Sequence, residues 1–111
     1  MSMQQLIIRV QGNVSWKCFL SKEGVWIAIC DPLRLTLQAD TFGDLMEDIA
    51  MTLNAIFRDL LISNELDKFL RDQGWELAGQ MPNSMDDVRF DMPFIPAVVA
   101  AANGLKREFH Q

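Results

Sequence analysis

The chain has 111 residues and a formal net charge of −5 at pH 7, a length that fits one domain better than two. Half of the residues are hydrophobic and 23% are charged, which is typical of a globular protein and excludes a disordered one. The basic residues are scattered, and phosphate backbones repel an acidic surface. The composition therefore disfavours nucleic acid as a partner and favours a basic protein.

The first five residues lack the basic start and the long apolar run of a signal peptide. No stretch approaches the roughly 18 consecutive apolar residues that a membrane span needs. Two cysteines fall on strands that we expect to pair as a hairpin, with Cys18 facing Ala28 and Cys30 facing Trp16. The thiols are then roughly 8 Å apart, which is too far for a disulfide. We therefore expect reduced thiols, a cytoplasmic location and no membrane contact.

Strands are predicted throughout residues 5–40. The segments are Gln5–Val10, Val14–Ser21, Val25–Cys30 and Leu35–Ala39. The second alternates apolar and polar side chains, interrupted only by Phe19, and alternation is typical of a half-buried strand. The third is apolar at every position, which indicates a central strand covered on both faces. The sequence therefore predicts a β-meander over residues 5–40.

Near residue 40 the apolar pattern changes from a repeat of two residues to a repeat of about 3.6 residues. Positions such as Leu45, Ile49 and Leu53 form one broad stripe, which predicts a main helix over 42–62. Thr41 is expected to cap its N-terminus.

A shorter helix is predicted over residues 65–73. Ser63-Asn64 can cap its start, and Gly74 ends it. Further on, 88–92 alternates, whereas 96–102 fits either a strand or a short helix. Because Pro93 and Pro96 confine strands to sheet edges, an edge strand is predicted within 88–102. The predicted fold class is α+β: a single domain over 1–111, with a small antiparallel meander of three to five strands, one long helix packed on a face and a shorter second helix.

The apolar third strand ends in Pro32-Leu33, and the turn Ala39-Asp40-Thr41 leads into an acidic amphipathic helix. Together with the order of elements, these residues resemble the HicB-like antitoxin domain. The segment 65–75 also resembles what some stand-alone members carry after that helix. The resemblance covers roughly half of the chain and implies a partial ribonuclease H-like sheet. Nothing after Val88 resembles the DNA-binding C-terminus that many such antitoxins carry.

The resemblance implies a non-enzymatic antitoxin that neutralises a small basic ribonuclease toxin by direct contact. An acidic chain suits that role, because the toxin must present a cationic surface to RNA. The alternative is an orphan HicB-like domain that acts as a homodimer, a higher homo-oligomer or an accessory subunit.

Catalysis is the third hypothesis, because active ribonuclease H-like sheets hold two metal ions with clustered carboxylates. The candidates are Asp31, Asp40, Asp44, Glu47, Asp48 and Asp91. Turn chemistry and the helix dipole account for these residues without a metal. His110 is too close to the end of the chain to be a positioned base. We therefore predict no catalytic residue, no metal site and no cofactor.

The central strand indicates where a partner would bind. Val25, Ile27 and Ile29 project from the face opposite Trp26, and this second face is covered either by the chain itself or by another chain. Trp16, Trp26 and Trp75 fit core or binding positions, with core favoured. The predicted partner-interface residues are Trp26, Ile27, Ile29, Leu33 and Arg34.

Overall fold

The computed structural model of the protein describes residues 5–99. In chain order the elements are β1 (Leu6–Gln11), β2 (Ser15–Leu20), β3 (Trp26–Cys30), β4 (Leu35–Ala39), α1 (Phe42–Ile62), α2 (Leu66–Gln73), β5 (Glu76–Leu77), β6 (Val88–Asp91) and β7 (Ile95–Val98). The coarse prediction is confirmed, because the described chain is a small α+β fold with two helices and several strands.

The described residues group into two compact units, each made of two separate stretches of chain. The first unit contains residues 5–13 and 50–93, and the second contains residues 14–49 and 94–99. Helix α1 therefore contributes its first eight residues to the second unit and the rest to the first. Neither unit is continuous in sequence. The prediction of one domain over 1–111 stays a prediction.

A four-stranded sheet in the order β4-β3-β2-β7 forms the second unit. Strands β2, β3 and β4 are consecutive antiparallel partners, with Cys18 opposite Ala28 and Ala28 opposite Leu37. Gly24 closes the β2–β3 hairpin at a φ of 84°, and its N–H donates to the Ser21 carbonyl. Strand β7 joins the other side of β2 in parallel. The predicted meander and the interior position of β3 are confirmed for this part of the chain.

One face of this sheet carries the core of the second unit. Trp26 on β3 meets Phe42 at the start of α1, with ring centroids 5.1 Å apart in an edge-to-face arrangement. Such a pair adds to the free energy of burial. The buried residues of this core are Val14, Trp16, Cys18, Ala28, Cys30, Leu45 and Ile49. The helical stripe predicted from the sequence therefore supplies the helical part of the core.

Helix α1 begins and ends at the predicted residues. The Thr41 hydroxyl accepts a hydrogen bond from the Asp44 N–H at 3.0 Å, which confirms the predicted cap. Helix α2 begins one residue later than predicted. The capping role suggested for Ser63-Asn64 is wrong, because Glu65 occupies the N-cap position and makes no side-chain cap bond. Gly74, at a φ of 78°, ends α2 as predicted.

The first unit is built around β1, the middle strand of a sheet in the order β5-β1-β6. Leu6 lies opposite Val88 in the parallel β1–β6 pair, and Val10 lies opposite Leu77 in the antiparallel pair with β5. Asn54 on α1 binds the backbone of β6, because its Oδ1 accepts the Phe90 N–H at 2.7 Å. This bond joins positions 36 residues apart in sequence.

Aromatic side chains fill the core of the first unit. Phe57 on α1 is 1% exposed and lies at the centre, with its ring centroid 5.7 Å from Phe90 and 6.4 Å from both Phe69 and Trp75. All three contacts are edge-to-face, the geometry that the ring quadrupoles favour. A Cβ atom at Gly12 would collide with the Trp75 indole. Glycine is therefore required where the chain leaves β1.

Two predictions about the strands are wrong. Residues 5–40 do not form one meander, because β1 pairs with β5 and β6 and lies in a different sheet from β2, β3 and β4. The sheets are also mixed, since β1–β6 and β2–β7 are parallel. The physical reason is that alternation determines which side chains share a face of a strand, but it does not determine which other strand pairs with it.

The edge-strand prediction for residues 88–102 is confirmed for β6 and β7, which lie at the edges of the two sheets. The strand alternative for the segment beginning at Pro96 is confirmed through residue 98. Residues 100–102 lie outside the described part of the chain.

Candidate protein-interaction surface

The predicted partner-interface residues divide over three places. Trp26 is half-buried and belongs to the core face of the second unit, where it contacts Phe42. Ile27 and Ile29 are half-buried on the opposite face. Leu33 and Arg34 lie in the turn between β3 and β4, and Arg34 is exposed at a φ of 56°. The structure therefore brings only Ile27 and Ile29 together on one sheet face.

Strand register extends this surface across the sheet of the second unit. Phe19 lies directly opposite Ile27, and Lys17 lies opposite both Ile29 and Ala97. Because opposed residues point to the same face, one apolar patch crosses β2, β3 and β7. We name it the open sheet face, and its members are Phe19, Ile27, Ile29, Ile95 and Ala97.

The exposure of these side chains shows that the face is accessible. Ile95 is 51% exposed, while Phe19, Ile27, Ile29 and Ala97 are half-buried. The helical residues of the second unit bury their apolar side chains with the core face, as the Trp26–Phe42 contact shows. Within the second unit, the described residues therefore place no helix on the open sheet face.

Polar side chains border the open sheet face. Ser15, Thr36 and Gln38 share the face by register and are exposed. Lys17 lies within the face, between Ile29 and Ala97, and its Nζ lies 3.4 Å from the Asp31 carboxylate at a solvent-exposed position. A largely apolar surface with polar side chains along its edge is typical of a protein interface.

Sequence reasoning missed Phe19 and Ile95 as members of this surface. The signal for Phe19 was present, because it is the apolar residue that interrupts the polar face of β2. Ile95 had no such signal, since its place depends on the parallel pairing of β7 with Ser15 on β2. That pairing spans 80 residues, and no local pattern reports it.

The predicted carboxylate candidates are not gathered into a metal site. Asp31 pairs with Lys17, and Asp44 lies in the first turn of α1 beside its cap. Within residues 5–99 no three His, Cys, Asp or Glu side chains form a group that could hold a metal ion. His110 lies outside the described residues, and the prediction of a non-enzymatic protein stays a prediction.

Both cysteines are free thiols in the core of the second unit, each 0% exposed. Cys18 lies opposite Ala28, as predicted, so the two thiols are not direct cross-strand partners. Burial raises the pKa of the Cys18 thiol above its ordinary value. Burial is also the main cause of the raised pKa of Cys30, with the Asp31 charge adding to it and a backbone hydrogen bond at Leu33 opposing it. A raised pKa disfavours the thiolate, which is the reactive form of a cysteine.

No protein-family model, curated protein or solved structure matches this chain. The resemblance to HicB-like domains therefore stays a prediction. Among the described residues, neither helix combines the length and the hydropathy that a membrane crossing requires.

Proposed function

We propose that this chain is a non-enzymatic, cytoplasmic protein-binding module that acts as a HicB-type antitoxin on a small basic ribonuclease. The observation that carries the proposal is the open sheet face, a largely apolar and partly exposed surface on a four-stranded sheet. The resemblance of residues 24–53 to HicB-like domains supports the partner class, and we extend it to a HicB-like, partly ribonuclease H-like fold.

Charge and apolar surface have separate roles in the proposed complex. The net charge of −5 attracts a cationic toxin at long range and speeds association. Apart from Lys17, the open sheet face has no charged residue among its described strand positions, and it supplies the close contact. A few well-packed, desolvated residues near the centre of such contacts provide most of the affinity.

The first experiment uses the purified chain as bait in an extract of the native host. Retained proteins are identified by mass spectrometry and then assayed for RNA cleavage. We expect a small basic ribonuclease that the chain inhibits at equal molar amounts. The complex should weaken as salt is added, because steering charges are screened. Co-production of the chain should also restore growth that the ribonuclease inhibits.

A matched pair of variants tests the surface. Ile27→Glu places a charge at the centre of the open sheet face, and we expect at least about a hundredfold weaker inhibition. Met51→Glu is the control, because Met51 is 68% exposed on α1 in the first unit and the chemical change is similar. Retention of no ribonuclease, or equal inhibition by Ile27→Glu and the wild type, would contradict the proposal.

A further inference from the structure

The edges of the two sheets differ in how they are protected. An edge strand exposes unpaired N–H and C=O groups, and proteins protect such edges with short strands, charges, proline or a covering group. Strand β5 has only two residues. Strand β6 carries Arg89 and Asp91, and Asn54 binds its Phe90 N–H. Strand β7 contains Pro96.

Strand β4 has none of these protections. It is five residues long, and Leu35–Ala39 contains no charged residue and no proline. It lies at the edge of its sheet, with β3 on one side. Within the described residues, no turn or side-chain hydrogen bond covers its other side. Among the described residues, the outer edge of β4 is therefore open to pairing with another strand.

We propose that β4 pairs antiparallel with β4 of a second copy of this chain, around a two-fold axis at Leu37. In this register Leu37 lies opposite its own equivalent. Leu35 lies opposite Ala39 of the second copy, and Thr36 lies opposite Gln38 of the second copy. On one face Leu37 meets Leu37 and Leu35 meets the smaller Ala39, and on the other face two hydrogen-bonding side chains meet. The strand is therefore complementary to itself, as a two-fold contact requires.

Charges next to the strand agree with the same register. Arg34 precedes β4 and Asp40 follows it, each three residues from Leu37. The two-fold axis therefore brings the turn that holds Arg34 in each copy beside the bend that holds Asp40 in the other, just outside the paired strand residues. Both side chains are exposed, and neither forms an ion pair with another described residue. Opposite charges across paired strands stabilise the pair, and like charges destabilise it.

This register favours a second copy over an unrelated strand. A two-fold axis repeats every contact, so a dimer contains two equivalent Arg34–Asp40 ion pairs. A parallel pairing would instead place Arg34 beside Arg34 and Asp40 beside Asp40. The inference does not depend on the proposed toxin binding, because self-association is measured without any toxin.

The test exchanges these charges in the full chain. In the Arg34→Asp homodimer, each of the two contacts brings together two acidic side chains, and in the Asp40→Arg homodimer each contact brings together two basic side chains. We expect each variant alone to dimerise about tenfold more weakly than the wild type, by analytical ultracentrifugation over a concentration series. Mixed in equal amounts, the two variants should form a heterodimer of near wild-type affinity, because both contacts become attractive. The double variant should recover the homodimer.

Circular dichroism of each variant provides the folding control, and the recovered heterodimer provides a second. A wild-type chain that stays monomeric at all concentrations would overturn the inference. A wild-type dimer that both single variants leave unchanged would also overturn it, since the contact would then lie elsewhere. Failure of the mixture and of the double variant to recover affinity would exclude the proposed register.

Discussion

The two units share one feature and differ in most others. Each contains a parallel pair that joins an early strand to a late one, β1 with β6 and β2 with β7. In the second unit the remaining strand pairs are consecutive in sequence and joined by short turns. In the first unit, side chains from distant segments supply the cohesion, as the Asn54–Phe90 bond and the contacts of Phe57 show.

This difference indicates where stability depends on local order and where it depends on distant contacts. Short connections cost little chain entropy to close, whereas distant contacts must offset a larger loss. We therefore expect the first unit to be the more sensitive to loss of a single central side chain. The second unit should tolerate comparable changes at its periphery.

The largest expected effect comes from Phe57→Ala. Removing a buried phenylalanine lowers the free energy of unfolding by about 3–5 kcal/mol, a large part of the stability of a small protein. The peripheral counterpart in the second unit is Phe42→Ala, which removes a half-buried ring that contacts Trp26. Because less apolar area is lost, we expect roughly 1–2 kcal/mol.

Urea unfolding followed by circular dichroism measures both variants. Equal losses for Phe57→Ala and Phe42→Ala would remove the proposed difference between the units. A larger loss for Phe42→Ala would reverse it.

The next effect tests one distant contact of the first unit. Asn54→Ala removes the oxygen that accepts the Phe90 N–H, and an unpaired, partly buried N–H costs about 1–3 kcal/mol. Asn54→Asp keeps an acceptor at that position and should retain most of the stability. Amide hydrogen exchange at Phe90 measures the bond directly. If the exchange rate of this amide is unchanged in Asn54→Ala, the side chain does not hold β6.

Local patterns were sufficient to predict much of the second unit. The switch of period near residue 40 predicted both ends of α1, and alternation predicted β4 at its observed bounds. The three-residue loop at Gly24 predicted the register that places Cys18 opposite Ala28. These features depend on residues within about one turn or one hairpin of each other, which is the range over which periodicity carries information.

The first unit and the candidate surface were predicted less completely, for a common reason. Nothing near Leu6 indicates that its neighbour across the sheet is Val88. The same limit applies to Ile95, which completes the open sheet face through a parallel pairing with β2. In contrast, Ile27 and Ile29 were predicted because an entirely apolar strand requires cover on both faces. Partner choice between distant strands follows from the whole chain and not from a segment.

The smallest effect tests the local order of the second unit at the start of α1. Thr41→Ala removes the hydroxyl that accepts the Asp44 N–H at 3.0 Å, and loss of such a cap lowers stability by about 0.5–2 kcal/mol. Thr41→Ser keeps the hydroxyl and should lie within a few tenths of a kcal/mol of the wild type, roughly the difference between the two residues as caps. Thermal unfolding of the wild type, Thr41→Ala and Thr41→Ser in parallel measures these differences in stability. Helix α1 continues into the first unit. A loss of stability well above this range in Thr41→Ala would therefore mean that the first turn of α1 supports distant contacts as well. The contrast between the two units would then be smaller than their strand connections indicate.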